Sequence, residues 1–442
     1  MTDIDTLICP RWLIPIAGAQ PVLNDHAVAI HHGRIVAVLP RATASERYAA
    51  AETVELPSHA LLPGLVNCHT HAAMSLMRGI ADDLPLMPWL KHHIWPTEDR
   101  HMSREFVSDG VALAMAEMIR GGTTCCNDMY FFPDVLAQAA IDAGLRAAVG
   151  LLVIDLPTVW AANVDEYIQK AIAVHDEYAA QPLINTLFAP HAPYTISDAA
   201  LTRIRTLCDE LDLRVHMHVH ETADEIRNAQ ASVNERPLAR LQRLGLLNPS
   251  LLAVHMTQLT DAEIALCAEQ GVHVLHSPES NLKLASGLCP VQELLDAGVN
   301  VALGTDGAAS NNDLDMLGEM RTAALIGKIA ASDATAMSAD TVLHMATLGG
   351  ARALGLEDEI GSIEVGKAAD LCAIDLGTLE TRPIFDCLAT IVYSADRRQV
   401  TDTWVAGRRL LHDRRLTTLD ERAIMTRTDY WQTTLQTATR ST

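Results

Sequence analysis

Two histidines one residue apart, His69 and His71, close the segment Val66-Asn67-Cys68-His69-Thr70-His71. On an extended chain, side chains i and i+2 leave the same face, so both imidazoles can reach one metal ion. An isolated H-x-H motif is weak evidence, because a hydrogen-bonded structural histidine is the commoner fate of each residue taken singly. Further along, His191 follows Phe188-Ala189-Pro190, the series His216, His218 and His220 runs into Glu221, and His255, His276 and Asp306 each follow an apolar run. Imidazoles and a carboxylate around a divalent ion can lower the pKa of water to about 7, which makes metal-assisted hydrolysis the chemistry to test.

What could bring such distant residues together is a repeating strand–helix pattern. Eight candidate strands, at 61–66, 123–127, 146–153, 184–189, 214–220, 252–255, 273–276 and 301–304, alternate with Ala- and Leu-rich helical stretches such as 106–120, 198–211 and 261–270. Eight units of this kind predict an α/β fold, a (β/α)8 TIM-type barrel over 62–364, whose active site lies at the C-terminal ends of the strands. His or Asp at six of those ends is hard to explain by packing, since barrel interiors favour branched aliphatics. Outside the barrel the texture changes. Short apolar runs at 27–31 and 35–38 flank the turn His32-Gly33-Arg34, and runs at 369–374, 391–393 and 400–405 follow Gly361, the last ending in Ala406-Gly407-Arg408. These read as short strands, predicting one discontinuous β-sandwich domain built from 1–61 and 365–442.

Composition excludes several partner classes. Lys+Arg number 33 against 55 Asp+Glu, a formal charge of -22 that repels nucleic acid and anionic lipid. The start of the chain lacks a basic region before its first apolar stretch, and the most apolar internal stretch, 147–162, contains Asp155 and Pro157. It falls short of the roughly 20 apolar residues that span a bilayer. Nine cysteines without a C-x-x-C pair fit reduced thiols in a cytoplasm better than a disulfide framework or a zinc ribbon.

Taken together, the histidines and Asp306 resemble the amidohydrolase superfamily, in which a strand-one H-x-H, histidines after strands five and six and a strand-eight Asp surround one or two metals. The segment Gly361-Ser362-Ile363-Glu364-Val365-Gly366-Lys367-Ala368-Ala369-Asp370-Leu371 looks like that family's return into its composite β-domain, so the resemblance covers nearly the whole chain. It implies a single divalent ion, because strand four ends Phe188-Ala189-Pro190-His191 without the lysine that bridges two metals. The implied ligands are His69, His71, His218 and Asp306, an N/O set with an open position that suits zinc, with ferrous iron as the alternative. Glu221, three residues after His218, resembles the H-x-x-E of the deaminase branch, where the glutamate shuttles a proton to a ring nitrogen. Asp306 then takes the proton of the attacking water and His255 hydrogen-bonds the attacking or departing group. His216 and His220 read as structural.

A narrower resemblance is to 5-methylthioadenosine/S-adenosylhomocysteine deaminases. It rests on Pro88-Trp89-Leu90 leading to Trp95-Pro96-Thr97-Glu98, on Ala189-Pro190-His191-Ala192-Pro193-Tyr194, and on the run from His276 to Gly287. The resemblance implies that Glu98 accepts hydrogen bonds from ribose hydroxyls, that His191 contacts the base, and that Trp89 belongs to the substrate site. The stretch 149–160, where some relatives carry arginines for the homocysteine carboxylate, has no basic residue, which favours methylthioadenosine. Met74, Met77, Leu86, Met87 and Trp160 are candidates to line a thioether pocket or plain core. Rival expectations are a guanine deaminase or chlorotriazine hydrolase on the same framework, and a non-catalytic assembly protein. Barrels of this kind commonly associate, so a homodimer or tetramer is expected.

Overall fold

A computed structural model describes residues 1–439. At its centre eight parallel strands follow one another in chain order: Leu65–Thr70, Thr123–Met129, Arg146–Val153, Ile184–Pro190, Val215–Val219, Leu251–His255, His273–His276 and Val301–Leu303. The first and last meet where the Asp306 N–H donates to the His69 carbonyl at 2.9 Å, so the sheet comes round as a barrel. Side-chain alternation sorts the strands into two faces. On the fifth strand Val215, Met217 and Val219 join the outer core under the helices, which sends His216 and His218 inward together. Inward residues lower in the barrel, such as Cys125, Ala148, Leu187 and Leu275, form a separate apolar cluster.

The helices between the strands start where local chemistry tells them to. Ser103, Asn163, Ser197, Thr222 and Thr260 each accept a backbone N–H from the first turn of the following helix, and Thr260 with Glu263 forms a capping box. Gly144 and Gly271 end two of them in the left-handed region, with φ of 79° and 68°.

Both chain ends contribute to a second sheet of nine strands, ordered Arg415–Leu416, Arg408–His412, Val400–Val405, Leu371–Asp375, Tyr48–Pro63, Thr2–Leu13, His26–His31 and Arg34–Pro40, with Leu23–Asn24 paired to Thr2–Leu13. It is one hydrogen-bonded sheet of mixed direction: Thr2–Leu13 runs parallel to Tyr48–Pro63, and Leu371–Asp375 pairs antiparallel with the latter.

Three elements differ from the sequence expectation. The strand expected at 61–66 is two strands that belong to different sheets and part at Gly64, whose N–H donates to the Asp370 carbonyl at 2.9 Å. A Cβ at Gly64 would lie 2.0 Å from Thr124 Oγ1, so only glycine lets the chain cross there. Residues 391–393 are not a strand but the end of helix Cys387–Tyr393, started by Asp386, which accepts the Ala389 N–H at 3.0 Å. A short β-branched run carries no period that separates strand from helix. The third is helix Glu421–Thr439 in a region expected to hold only strands. It docks on helix Arg104–Arg120 through Trp431, whose indole donates to Asp109 at 2.7 Å and meets the Phe106 ring edge-on at 5.0 Å. Residues 440–442 of the expected terminal segment lie outside the described residues. Among the described residues no helix is long and apolar enough to cross a membrane.

Candidate active site

The C-terminal ends of the barrel strands gather the site. His69 Nε2 lies 3.2 Å from His218 Nε2, and His69 and His71 each place Nε2 3.3 Å from Asp306 Oδ1. Potential ligand atoms of His69, His71 and His218 lie within 4.8 Å of one another, as do those of His69, His255 and Asp306. The His191 ring stands 4.8 Å from that of His218, and His255 stacks on His218 at 5.4 Å. Two of these residues hold strained backbone: His255 and Asp306 have φ of 75° and 63°. Such conformations cost of order 1–3 kcal/mol away from glycine and collect at functional sites.

Hydrogen bonds around the cluster decide what it can hold. His71 Nδ1 meets the Met129 carbonyl at 2.6 Å, and His218 Nδ1 meets the His191 carbonyl at 2.8 Å. A carbonyl only accepts, so each Nδ1 carries the proton and each Nε2 presents a lone pair. The His71 lone pair faces the Asp306 carboxylate and the His218 lone pair faces His69 Nε2, and acceptors facing acceptors repel unless a cation stands between them. The donor set therefore fits one divalent ion, with His69, His71, His218 and Asp306 as the residues that would hold it. Outer partners orient the set: His216 Nε2 sits 2.9 Å from His69 Nδ1, Ser280 donates to Asp306 Oδ2 at 2.7 Å, and the Gly307 N–H donates to Asp306 Oδ1 at 2.7 Å.

Beside the cluster lies an acid. Glu221 Oε1 is 3.9 Å from His255 Nε2, and burial, reinforced by the Asp306 charge, pushes the Glu221 carboxyl up to about 8. Its backbone is fixed by Glu225, which accepts the N–H groups of Glu221 at 2.8 Å and His220 at 3.1 Å. Asp306 behaves oppositely. Burial works against its charge, but positive charge at the surrounding histidine positions, where a cation would stand, holds it well below the usual carboxylate range. Two carboxyls in one pocket are thus driven apart, one a proton donor at neutral pH and one a permanent acceptor. Burial pulls His69 down to about 4 and His191 down to about 3, keeping both rings neutral.

Of the substrate residues, Glu98 accepts a hydrogen bond from Tyr130 at 2.7 Å, and the Tyr130 ring lies 6.3 Å from that of His71, which ties Glu98 to the site's edge. Burial raises Glu98 to about 7 against that hydrogen bond. Trp89 is different: it is buried in the apolar core at the end of helix Leu86–Trp89, and among the described residues no hydrogen bond or ring contact joins it to the histidines. His220 also points away, accepting the Leu238 N–H at 3.3 Å. Sequence reasoning set aside His216, although its i, i+2 relation to His218 puts both on one face. It passed over Tyr130, Ser280 and Asn281, the last 2.9 Å from His255 Nδ1. Ser280 and Asn281 stand within the quoted run after His276, but nothing in the order of residues says which of them reach the cluster.

Comparison with known proteins agrees with this geometry. Residues 60–410 match the family described as the amidohydrolase family. A 5-methylthioadenosine/S-adenosylhomocysteine deaminase of Teredinibacter turnerae is 48% identical over 431 residues, covering 98% of each chain. The crystal structure of an adenosine deaminase from Xanthomonas campestris with bound zinc is 56% identical, covers 99% of each chain and superposes with a TM-score of 0.98. An atrazine chlorohydrolase from Arthrobacter aurescens, complexed with zinc, shares the fold at 24% identity, 97% and 100% coverage and a TM-score of 0.90. By its barrel, its converging imidazoles and these matches, the chain belongs to the amidohydrolase family.

Proposed function

We propose that this protein is a zinc-dependent hydrolase that deaminates the adenine ring of 5'-methylthioadenosine, with S-adenosylhomocysteine and adenosine as further substrates to be ranked against it. The observation that carries the reading is the pairing of Glu221, protonated at neutral pH, with a cluster of imidazole lone pairs and Asp306 that calls for a cation. The relatives at 48% and 56% identity, named for adenine nucleosides, support it. A divalent ion in such a site supplies Lewis acidity and hydroxide near neutral pH. Within that setting Glu221 donates its proton to N1 of the purine as water adds at C6, and Asp306, steadied by Ser280, accepts the proton of the water. His255, oriented by Asn281, hydrogen-bonds the attacking or departing group. Asp306 passes that proton to the departing amino group, the hydroxyl proton of the adduct returns to Glu221, and the C6–N bond breaks as the C6–O double bond forms, so that ammonia leaves.

Glu98, positioned by Tyr130, accepts the ribose hydroxyls, and His191 meets the base. Support for a neutral 5' substituent comes from the loop after the third strand. Trp160 packs edge-on against Phe132 at 5.5 Å, and the nearby Lys170 is paired with Glu166 at 2.7 Å. A carboxylate arriving there would compete with an existing ion pair. The same reading holds the domains at 1–61 with 365–442 and at 62–364, a cytoplasmic location, and a homodimer or tetramer, which sedimentation of the zinc-loaded protein checks.

Ammonia release from methylthioadenosine, S-adenosylhomocysteine, adenosine, guanine and a chlorotriazine, with zinc-loaded protein, tests the function. Methylthioadenosine is expected to give the highest kcat/KM. Turnover of guanine or the triazine without nucleoside turnover would overturn the proposal.

A further inference from the structure

A cavity of about 830 Å³ borders Glu221. Its walls include Leu86, Met87, Tyr194, Ile196 and Glu225, but none of His69, His71, His218, His255 or Asp306. That volume falls in the range of whole small-molecule sites, roughly 300–1,000 Å³. Glu221 is thus shared between the imidazole cluster and this cavity.

The order of atoms in the ring says what that space would meet. In a purine, N1 lies between C6 and C2. With C6 toward the imidazole cluster and N1 at Glu221, the next atom along the ring edge is C2, and the cavity that Glu221 also borders is the space open to it. We infer that the cavity receives a substituent on C2, so that 2-substituted 6-aminopurine nucleosides, and 2-amino compounds above all, are substrates; this rests on the deaminase reading above. The products would be the corresponding 2-substituted 6-oxopurine nucleosides and ammonia, with C6–N broken and C6–O formed as for the parent.

The polar groups at the cavity favour an uncharged, hydrogen-bond-donating substituent. Arg240 is already engaged by Asp198 at 2.7 Å, by the Ile196 carbonyl at 2.7 Å and by the Pro193 carbonyl, and Arg243 is held by Asp198 at 2.9 Å and Glu235 at 2.8 Å. Neither is free to receive an anion. Both carboxyl oxygens of Glu225 accept backbone N–H groups. No hydrogen bond among the described residues occupies either carboxyl oxygen of Glu221, so one can serve N1 while the other accepts from a 2-amino group. Beyond that pair the wall turns apolar at Leu86, Met87 and Ile196, which suits an aryl or alkyl extension.

The test is ammonia release by zinc-loaded protein from adenosine and its 2-amino, 2-methylamino and 2-phenylamino derivatives, a series of similar electronics and rising size. The 2-phenylamino compound is expected within about 5-fold of the 2-amino compound in kcat/KM, where a closed pocket would discriminate by about 100-fold or more. Ala229 lines the same cavity from helix Ala223–Val233. In Ala229→Trp the ratio of 2-phenylamino to 2-amino turnover should fall by at least about 10-fold, with adenosine unchanged within about 2-fold. Ammonia from adenosine but under about 1% of the 2-amino rate from the 2-phenylamino compound overturns the C2 assignment alone. An unchanged ratio in Ala229→Trp also overturns it, because the substituent then lies elsewhere. Ammonia from none of the nucleosides overturns the deaminase reading and this inference with it.

Discussion

Two regions of the molecule bury charged groups, and they do so in opposite ways. Under the barrel, Arg146 at the start of the third strand meets Asp370 at the entry to Leu371–Asp375, with contacts of 3.0 and 3.3 Å. The Pro182 carbonyl takes a further guanidinium proton at 3.1 Å, and the Ala406 N–H donates to Asp370 at 2.7 Å. Donors meet acceptors throughout, and the pair locks barrel to terminal sheet. At the barrel mouth, acceptors meet acceptors: the His71 lone pair confronts Asp306, that of His218 confronts His69, and a protonated Glu221 stands beside them. Satisfied burial marks a joint, whereas unsatisfied burial marks a place that waits for a ligand.

The sharpest way to separate the two regions is Glu221→Gln. It keeps the shape and removes the acid, so kcat should fall by about 10³-fold or more, within the usual range for losing general acid catalysis, while zinc content stays at its wild-type value. Near-normal turnover would strip Glu221 of its role. At the joint, Asp370→Ala leaves a guanidinium buried without its partner and should lower unfolding stability by about 3–5 kcal/mol in denaturant melts. Zinc per folded chain should not change; a protein that loses metal in step would show that the two regions are coupled. At the edge of the mouth, Glu98→Ala should raise KM for nucleosides by about 10–100-fold, and Tyr130→Phe by about 2–10-fold, as expected for a charged and a neutral hydrogen bond. Equal nucleoside kinetics in Glu98→Ala would refute the ribose contact.

Removing the metal gives the broadest signature. The folded values of His69 and His191, about 4 and about 3, lie below the roughly 6.5 of an unfolded histidine. The unfolded chain therefore binds protons first on acidification. Their contribution is present above about pH 6.5 and is lost as pH falls through about 4 for His69 and about 3 for His191. Glu221 and Glu98 act in the opposite sense. Raised to about 8 and about 7, they contribute stability at low pH that is lost as pH rises through those values. The two opposing slopes cancel over mildly acidic pH and the acids dominate above it, so metal-stripped protein should hold its melting temperature between about pH 4.5 and 6.5 and lose it as pH rises toward 8, where zinc should stabilise it most. A melting temperature that does not fall between about pH 6.5 and 8 in the stripped protein would contradict the buried-acid account.

How much could be read in advance varied with how local the signal was. The barrel strands were recognisable from apolar runs followed by His or Asp, and the parity of His216 and His218 follows from the strand itself. Gly64 was not recognisable, because the need for glycine there comes from Thr124, far along the chain. Residues 391–393 misled because the helix depends on the cap at Asp386 and not on the run that follows it.

The order of residues was enough to establish which side chains exist to bind a cation, on which strands they stand and at which end, because strand alternation and barrel polarity act over a few residues. It could not say that His216 would brace His69, that Tyr130 would hold Glu98, or that Glu221 would become an acid with a cavity behind it. Those depend on distance and on exclusion of water, and both arise only when segments more than a hundred residues apart in some cases close around one another.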